Sequence, residues 1–510
     1  MLFTDAFGIP EAVPQLEETA SHPSKEGFQV HLRRRDKIQG NVSSLVIRVV
    51  KVRLEGVNMS LRYQPRAQRR GVNLKIPGCV KEASRFAKER GADRYELRPH
   101  DKGQRIPNSG DAATFFAIGY RSMTGTQLDD FVVPGPGPSD SVKWHLSRAH
   151  HPDMDPFWVA DMDFRAPEPV LSALRSRTEA AVFGYSFVPD SLYEAYSSWT
   201  ARRYGFSPPV DHLWLPGVMA GVNAAVASYS QPGDGIIIQP PVYFPFAETV
   251  ERLGRTIVEN TLVRTDGRYT MNLDELEKRA SAGAKVLLLC SPHNPVGRVW
   301  DENELQATAD ICAHHNVVLV ADEIHADLIV SGRRFVPAAS LETSGLKLVT
   351  LVSATKTFNI PGLPGAFAYS RDRSLLDGLA KGLSGCGGGI PNVMTLAGTS
   401  AAWQEGDAWL DAVISYLKTN EAVVRDRFDH LPVTIEPLEG TYLLWMDCSR
   451  IDSNDLRLQR RLRDEARAWL IQGSRFGAAG AGFLRMNIAT SRDRLDAACG
   501  RIARVLETET

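Results

Sequence analysis

From residue 150 onward, short runs of branched apolar residues recur with about one helix of chain between them, and this alternation limits the possible folds more than any other feature. The runs are GIIIQ (235–239), KVLLLC (285–290), NVVLVA (316–321), KLVTLVS (347–353) and GAFAYS (365–370). A strand that is apolar at nearly every position, not at every second one, must be covered on both faces. The intervening stretches carry helix signals: VMAGVNAAVASYS after Pro216 and Gly217, NLDELEKRA after Met271, and DENELQATADICAHHN from 301. In the last, Asp301 and Glu304 have capping-box spacing. Strand and helix in repetition predict an α/β fold with a doubly wound, mostly parallel sheet.

Composition removes several function classes. With 59 Lys plus Arg against 60 Asp plus Glu, the net charge is -1, so no global positive field would hold nucleic acid or an anionic membrane. No apolar run approaches the roughly 20 residues of a spanning helix, and 43% hydrophobic with 23% charged residues is ordinary globular composition. Six scattered cysteines form no C-x-x-C pair, which excludes a zinc ribbon or a disulfide scaffold and fits a reducing cytoplasm. The opening MLFTDAFGIPEAVPQLEE has four acidic and no basic residues, unlike an export signal.

Charge is nevertheless unevenly spread. Residues 1–140 hold 22 basic and 16 acidic residues, which leaves 37 and 44 for the remainder, a split of +6 against -7. The stretch FVVPGPGPSD (131–140) reads as a linker, so residues 1–138 are taken as a separate basic extension. Without aromatic or recognition-helix patterning, it reads as a solvated, partly disordered segment and not as a docking arm.

In open α/β sheets, ligands sit beyond the carboxyl ends of the strands. Tyr243 follows the first run, Asn294 the second, Asp322 and His325 the third, and Lys356 the fourth. Each alone has a structural explanation: a turn, a helix cap or a solvated lysine. Together they offer an amine, a carboxylate, an amide, an imidazole and a stacking ring, the set a Schiff-base cofactor such as pyridoxal 5'-phosphate requires. The turn at Gly217 would present the N-H groups around Val218 and Met219 to its phosphate, and Ser353 adds a hydroxyl.

Rival signals are weaker. GCGGGI (385–390) has Ile390 where the third glycine of a dinucleotide motif belongs, and Asp322, Glu323 and His325 lack both a fourth ligand and metalloprotease spacing. No metal is expected.

The phrases SDSVKWH (139–145), PFWVADMDF (156–164), FGYS (183–186), GDGIIIQPPVY (233–243), LLLCSPHNPVGRVW (287–300), ADEIHADL (321–328), SATKTFNIPGL (353–363), LEGTYLLWMD (438–447) and GFLRMNIATSR (482–492) resemble the class I and II aminotransferase superfamily of fold type I pyridoxal-phosphate enzymes. The closer resemblance is to its cystathionine β-lyase branch, the MalY/PatB-type C-S lyases. It implies that Lys356 binds the cofactor, Asp322 pairs with its pyridine nitrogen, Asn294 and His325 flank the phenolic oxygen, and Tyr243 stacks on the ring. It implies further that Tyr185 reaches the phosphate in a neighbouring subunit, making a homodimer with shared sites, and that Arg485 and Ala160 bind the amino-acid substrate. His325 distinguishes the branch, since many aminotransferases carry tyrosine there. Pro364 departs from the family, which usually has a basic residue eight positions after the lysine. The implied layout is a large domain at 185–415 and a smaller α+β domain from 139–184 plus 416–510.

Three functions stay open at this point: β-elimination from cystathionine or a cysteine S-conjugate, which ranks first; transamination; and a regulatory protein that binds the cofactor.

Overall fold

The structure, a computed structural model, describes residues 49–54, 57–62, 140–385 and 390–507. The chain divides into two compact units, Met1–Tyr120 and Arg121–Thr510. In the first, β1 (Val49–Leu54) and β2 (Val57–Arg62) pair antiparallel. The expectations for the rest of the basic extension, for the linker before Asp140 and for the glycines at 387–389 lie outside the described residues.

The described part of the second unit includes β3 (Asp155–Pro156). Its main sheet takes β4 (His212–Leu215), β5 (Gly235–Ile238) and β6 (Thr256–Glu259). After the hairpin of β7 (Val263–Thr265) and β8 (Arg268–Thr270) come β9 (Val286–Cys290), β10 (Val318–Asp322), β11 (Leu348–Val352) and β12 (Ala366–Tyr369). The order across the sheet is β4-β12-β11-β10-β9-β5-β6. Strands β6, β5, β9, β10 and β11 run parallel, and β12 is antiparallel to both neighbours.

Burial on both faces explains the continuous apolar runs: every residue of β9 and β10 is buried. Alternate side chains serve opposite faces. Ile236, Ile238, Val286, Leu288, Val320 and Leu351 pack in one cluster with the helices Val218–Tyr229 and Arg373–Gly385. The three predicted helices are present, and Asp301 and Glu304 form the capping box of the helix Glu302–His314. Their hydrogen bonds satisfy N-terminal N-H groups that the helix itself leaves open.

A second sheet, β13 (Thr434–Ile435), β14 (Leu443–Asp447), β16 (Ile471–Gln472) and β17 (Phe483–Asn487), is antiparallel in the order β13-β14-β17-β16. Beside it, β15 (Ala468–Trp469) pairs with β3, tying residues far apart in sequence. One hydrophobic cluster runs from Phe157, Trp199 and Phe367 to Leu444, Leu484 and Leu506, so the core is continuous between the segments that carry the two sheets. The expected division at 415/416 falls inside the continuous helix Asp407–Phe428.

Candidate active site

Four strand ends and one strand of the second sheet supply the site. Strand β11 ends at Val352, and Ser353 caps the short helix Ala354–Thr357, accepting from the Thr355 N-H at 3.2 Å. That turn presents Lys356, whose Nζ donates to the Ala160 carbonyl. Burial draws this amine down to about 8; Arg485 acts in the same direction, while Asp161 and Asp322 oppose it.

Asp322 ends β10, buried, with Oδ1 accepting from the Ile324 N-H at 3.1 Å. Burial pushes its carboxyl up to about 7 against the opposing pull of that N-H and of Lys356. Its neighbour Glu323 accepts from the Ala338 N-H at 2.6 Å and is pushed up to about 8, first by burial and then by the charge of Asp322. His325 is buried and held neutral, its imidazole drawn down to about 3 by burial and by the cations Lys356 and Arg485. Its Nδ1 has no hydrogen-bond partner among the described residues.

Arg485, on β17, donates to Asn294 Oδ1 at 3.0 Å and to the Trp158 carbonyl at 2.7 Å. Its Nε is buried without a hydrogen-bond partner among the described residues, and the guanidinium lies 5.0 Å from the centre of the Phe476 ring. Burial draws it down to about 10, so it is cationic at neutral pH. Tyr243 lies just beyond β5, next to Phe244, and its phenol is pushed up to about 12 by burial and by Asp322.

The helix Val218–Tyr229 has no side-chain cap at its N-terminus, which leaves the first N-H groups, at Val218 and Met219, available to an anion. Ser353 donates its proton to the Gly365 carbonyl at 2.7 Å, so donating to an anion requires that bond to give way. Pro364 is exposed in the turn ahead of β12. Tyr185 is 94% exposed. Asp322, Glu323 and His325 do not converge on a metal position. Among the described residues, only Glu277, His314 and His315 bring three such donor atoms within 4.8 Å of one another.

The residues 164–502 match the family model for aminotransferase class I and II. The chain belongs to the aminotransferase class I and II family. Within it, the chain is similar to the cystathionine β-lyase PatB of Bacillus subtilis, at 35% identity over 72% of this chain and 97% of that protein. It is similar to the protein MalY of Escherichia coli, at 32% over 68% and 89%. Among solved structures it resembles cystalysin from Treponema denticola, which contains pyridoxal 5'-phosphate, with 30% identity, a TM-score of 0.72, and 75% and 99% of the two chains covered.

This aminotransferase-family site fits pyridoxal 5'-phosphate, the family's cofactor. Lys356 is an amine with a depressed pKa, His325 Nδ1 and Arg485 Nε are buried polar atoms awaiting partners, and an uncapped helix N-terminus suits the phosphate. Four residues of the site were not singled out in sequence. Tyr442 donates to the Ala160 carbonyl at 2.8 Å, and Asn487 holds the Val159 and Asp161 carbonyls at 2.6 Å each. Lys143 pairs with Asp161, whose charge reaches Lys356. All four lie inside the phrases that carry the family resemblance, but their partners are mostly backbone carbonyls, which no side-chain pattern reports.

Proposed function

We propose that the protein is a carbon-sulfur β-lyase that cleaves cystathionine or another cysteine S-conjugate to a thiol, pyruvate and ammonia. The observation that carries this reading is buried His325 beside the Lys356 amine and the Arg485 guanidinium, three residues after Asp322, where many aminotransferases carry tyrosine. The aminotransferase reading ranks second, because the matched relatives at 35% and 32% identity are a named cystathionine β-lyase and MalY.

When bound, pyridoxal 5'-phosphate supplies an electron sink for negative charge at the substrate Cα. Lys356 would hold the cofactor, and its Nζ, when free, would take the Cα proton, a task suited to an amine near 8. Asp322 would pair with the ring nitrogen, where a protonated ring would offset the burial that disfavours the carboxylate's own charge. Asn294 and neutral His325 would serve the phenolic oxygen, and Tyr243 would cover the ring. Arg485 exchanges its bonds to Asn294 and the Trp158 carbonyl for a two-pronged grip on the substrate carboxylate, beside Ala160. Val218, Met219 and Ser353 would hold the phosphate, joined by Tyr185 of a neighbouring copy. The Cβ-S bond then breaks with its electrons on sulfur, and the three-carbon product is hydrolysed.

In this reading, 139–184 and 416–510 form the smaller domain that closes over the substrate, and 185–415 the cofactor domain. The active form is a homodimer. A reducing cytoplasm suits the buried free thiols Cys290, Cys312, Cys448 and Cys499.

The test is to load the purified protein with pyridoxal 5'-phosphate, record its visible absorbance, add L-cystathionine and assay thiol and pyruvate. A new band with stoichiometric thiol and pyruvate is expected. A band with amino-group transfer to a keto acid, and no thiol, would favour the aminotransferase; no band would overturn the cofactor assignment.

A further inference from the structure

The segment Phe157–Met162 forms a strap across the site, and each of its six carbonyls accepts a hydrogen bond from outside the strap. Phe157 receives the Asn487 N-H, Trp158 Arg485, Val159 Asn487, Ala160 Lys356 and Tyr442, Asp161 Asn487 and Lys143, and Met162 Asn359. The strap is therefore fixed by side chains that converge from several elements, and its middle carbonyl touches Lys356.

Lys143 stands on the other side of it. It lies on the helix Val142–His150 and is only 2% exposed, with Nζ 3.1 Å from Asp163 Oδ1, 3.3 Å from Asp161 Oδ1 and 3.2 Å from the Asp161 carbonyl. Arg494 approaches Asp163 Oδ2 at 3.7 Å and Asp155 Oδ1 at 3.4 Å, and Asp155 also pairs with Arg501, so three cations balance three carboxylates. Burial draws the Lys143 amine down, but Asp163 and then Asp161 outweigh it, and the ammonium keeps its charge. A buried ion set of this kind gains little stability over apolar packing of the same volume. Lys143 first neutralises the buried Asp163; its second partner, Asp161, carries the effect of the same cation on toward Lys356.

We infer that Lys143 is a positioning residue for Lys356: it holds Asp161 and the strap, and through them sets the charge field and hydrogen-bond acceptor that the reactive amine meets. This rests on Lys356 being the cofactor lysine. The groups that face Lys356 are Asp161 and the Ala160 carbonyl of the strap, Asp322 from β10, neutral His325, and Arg485 from β17, with Tyr442 sharing the same carbonyl. Of these, Asp161 is the largest source of negative potential at Lys356, and Lys143 is the cation that opposes it.

Two substitutions should therefore act in opposite directions. Lys143→Met leaves Asp161 unopposed and favours the protonated state at the Lys356 nitrogen, whereas Asp161→Asn removes that support. The experiment is a pH titration of the visible absorbance of the cofactor-loaded full-length protein. Relative to wild type, the midpoint should rise by about half a pH unit or more in Lys143→Met and fall by a similar amount in Asp161→Asn. Lys143→Arg should restore the wild-type midpoint. Shifts of the same sign in both variants, as simple loosening of the strap would give, or midpoints equal to wild type, overturn the inference. If Lys143→Met fails to fold, Asp161→Asn and Lys143→Arg decide it: the expected pair is a lowered and an unchanged midpoint, and any other pair is contrary. A wild-type protein without a visible band instead overturns the reading of Lys356 itself.

Discussion

At the scale of single residues, the site depends on burial working against charge. Lys356 should be indispensable: Lys356→Ala is expected to lose the visible band formed with pyridoxal 5'-phosphate and to lower thiol release by at least about a thousandfold. Absorbance and a thiol assay check both, and residual turnover near wild type would contradict the role. A second expectation concerns Glu323, whose carboxyl is raised from about 4.5 to about 8. The folded state binds that proton more tightly than the unfolded chain, so its stabilising effect is complete below about pH 4 and is lost as pH rises through about 8. In cofactor-free protein, Glu323→Gln should thus gain melting temperature relative to wild type between about pH 5 and pH 9. Differential scanning at several pH values checks it, and a gap that does not change with pH would contradict it. The chemistry-bearing residues were legible because they follow apolar runs directly: Asp322 ends one and Asn294 and Lys356 come within four residues of another. Asn487, Tyr442 and Lys143 were not, since they grip main-chain carbonyls, and a main chain looks the same in every sequence.

At the scale of elements, the buried strands were readable from composition alone, and their directions were not. GAFAYS forms β12, yet it runs antiparallel to β11 and β4, because an apolar run records burial and carries no sign of its neighbour's direction. Strands β4 and β6 at the two edges escaped notice. HLWL and TIVE are partly exposed, and short edge strands have no continuous apolar signal. The capping box at Asp301 was legible, because it is a local contact between residues three apart. Asp301→Ala should cost about 1 kcal/mol, lowering the melting temperature by roughly 2 °C. Turnover should stay at the wild-type level, since the cap lies at the start of a helix that supplies none of the proposed site residues. Calorimetry beside a thiol assay checks the pair of outcomes.

At the scale of the whole molecule, the family phrases between 139 and 492 foretold a second sheet beside the main one, while the continuous helix Asp407–Phe428 shows that the two regions share an element. Tyr185 bears on assembly: an aromatic ring 94% exposed, with Phe187 and Phe183 also exposed nearby, suits a surface that a second copy covers. If sites are shared, Lys356→Ala and Tyr185→Ala proteins, each inactive or weak alone, should regain activity when subunits are exchanged. Random reassortment places one intact site in half of the dimers, about a quarter of wild-type activity. Activity that stays at the sum of the two separate variants would contradict shared sites.

The pairing of β3 with β15, and the hold of Arg485 and Asn487 on the strap, have a consequence for the making of the protein. Residue 487 follows Lys356 by 131 residues, so the groups that hold the strap are among the last of the site to be synthesised. Until then, the carbonyls of Phe157, Trp158 and Val159 lack their partners and the strap cannot settle over the amine. The enclosure of Lys356 therefore depends on a stretch of chain more than 120 residues downstream of it, so a truncation before residue 485 would remove the hold of Arg485 and Asn487 on the strap while leaving the lysine itself in place in the sequence.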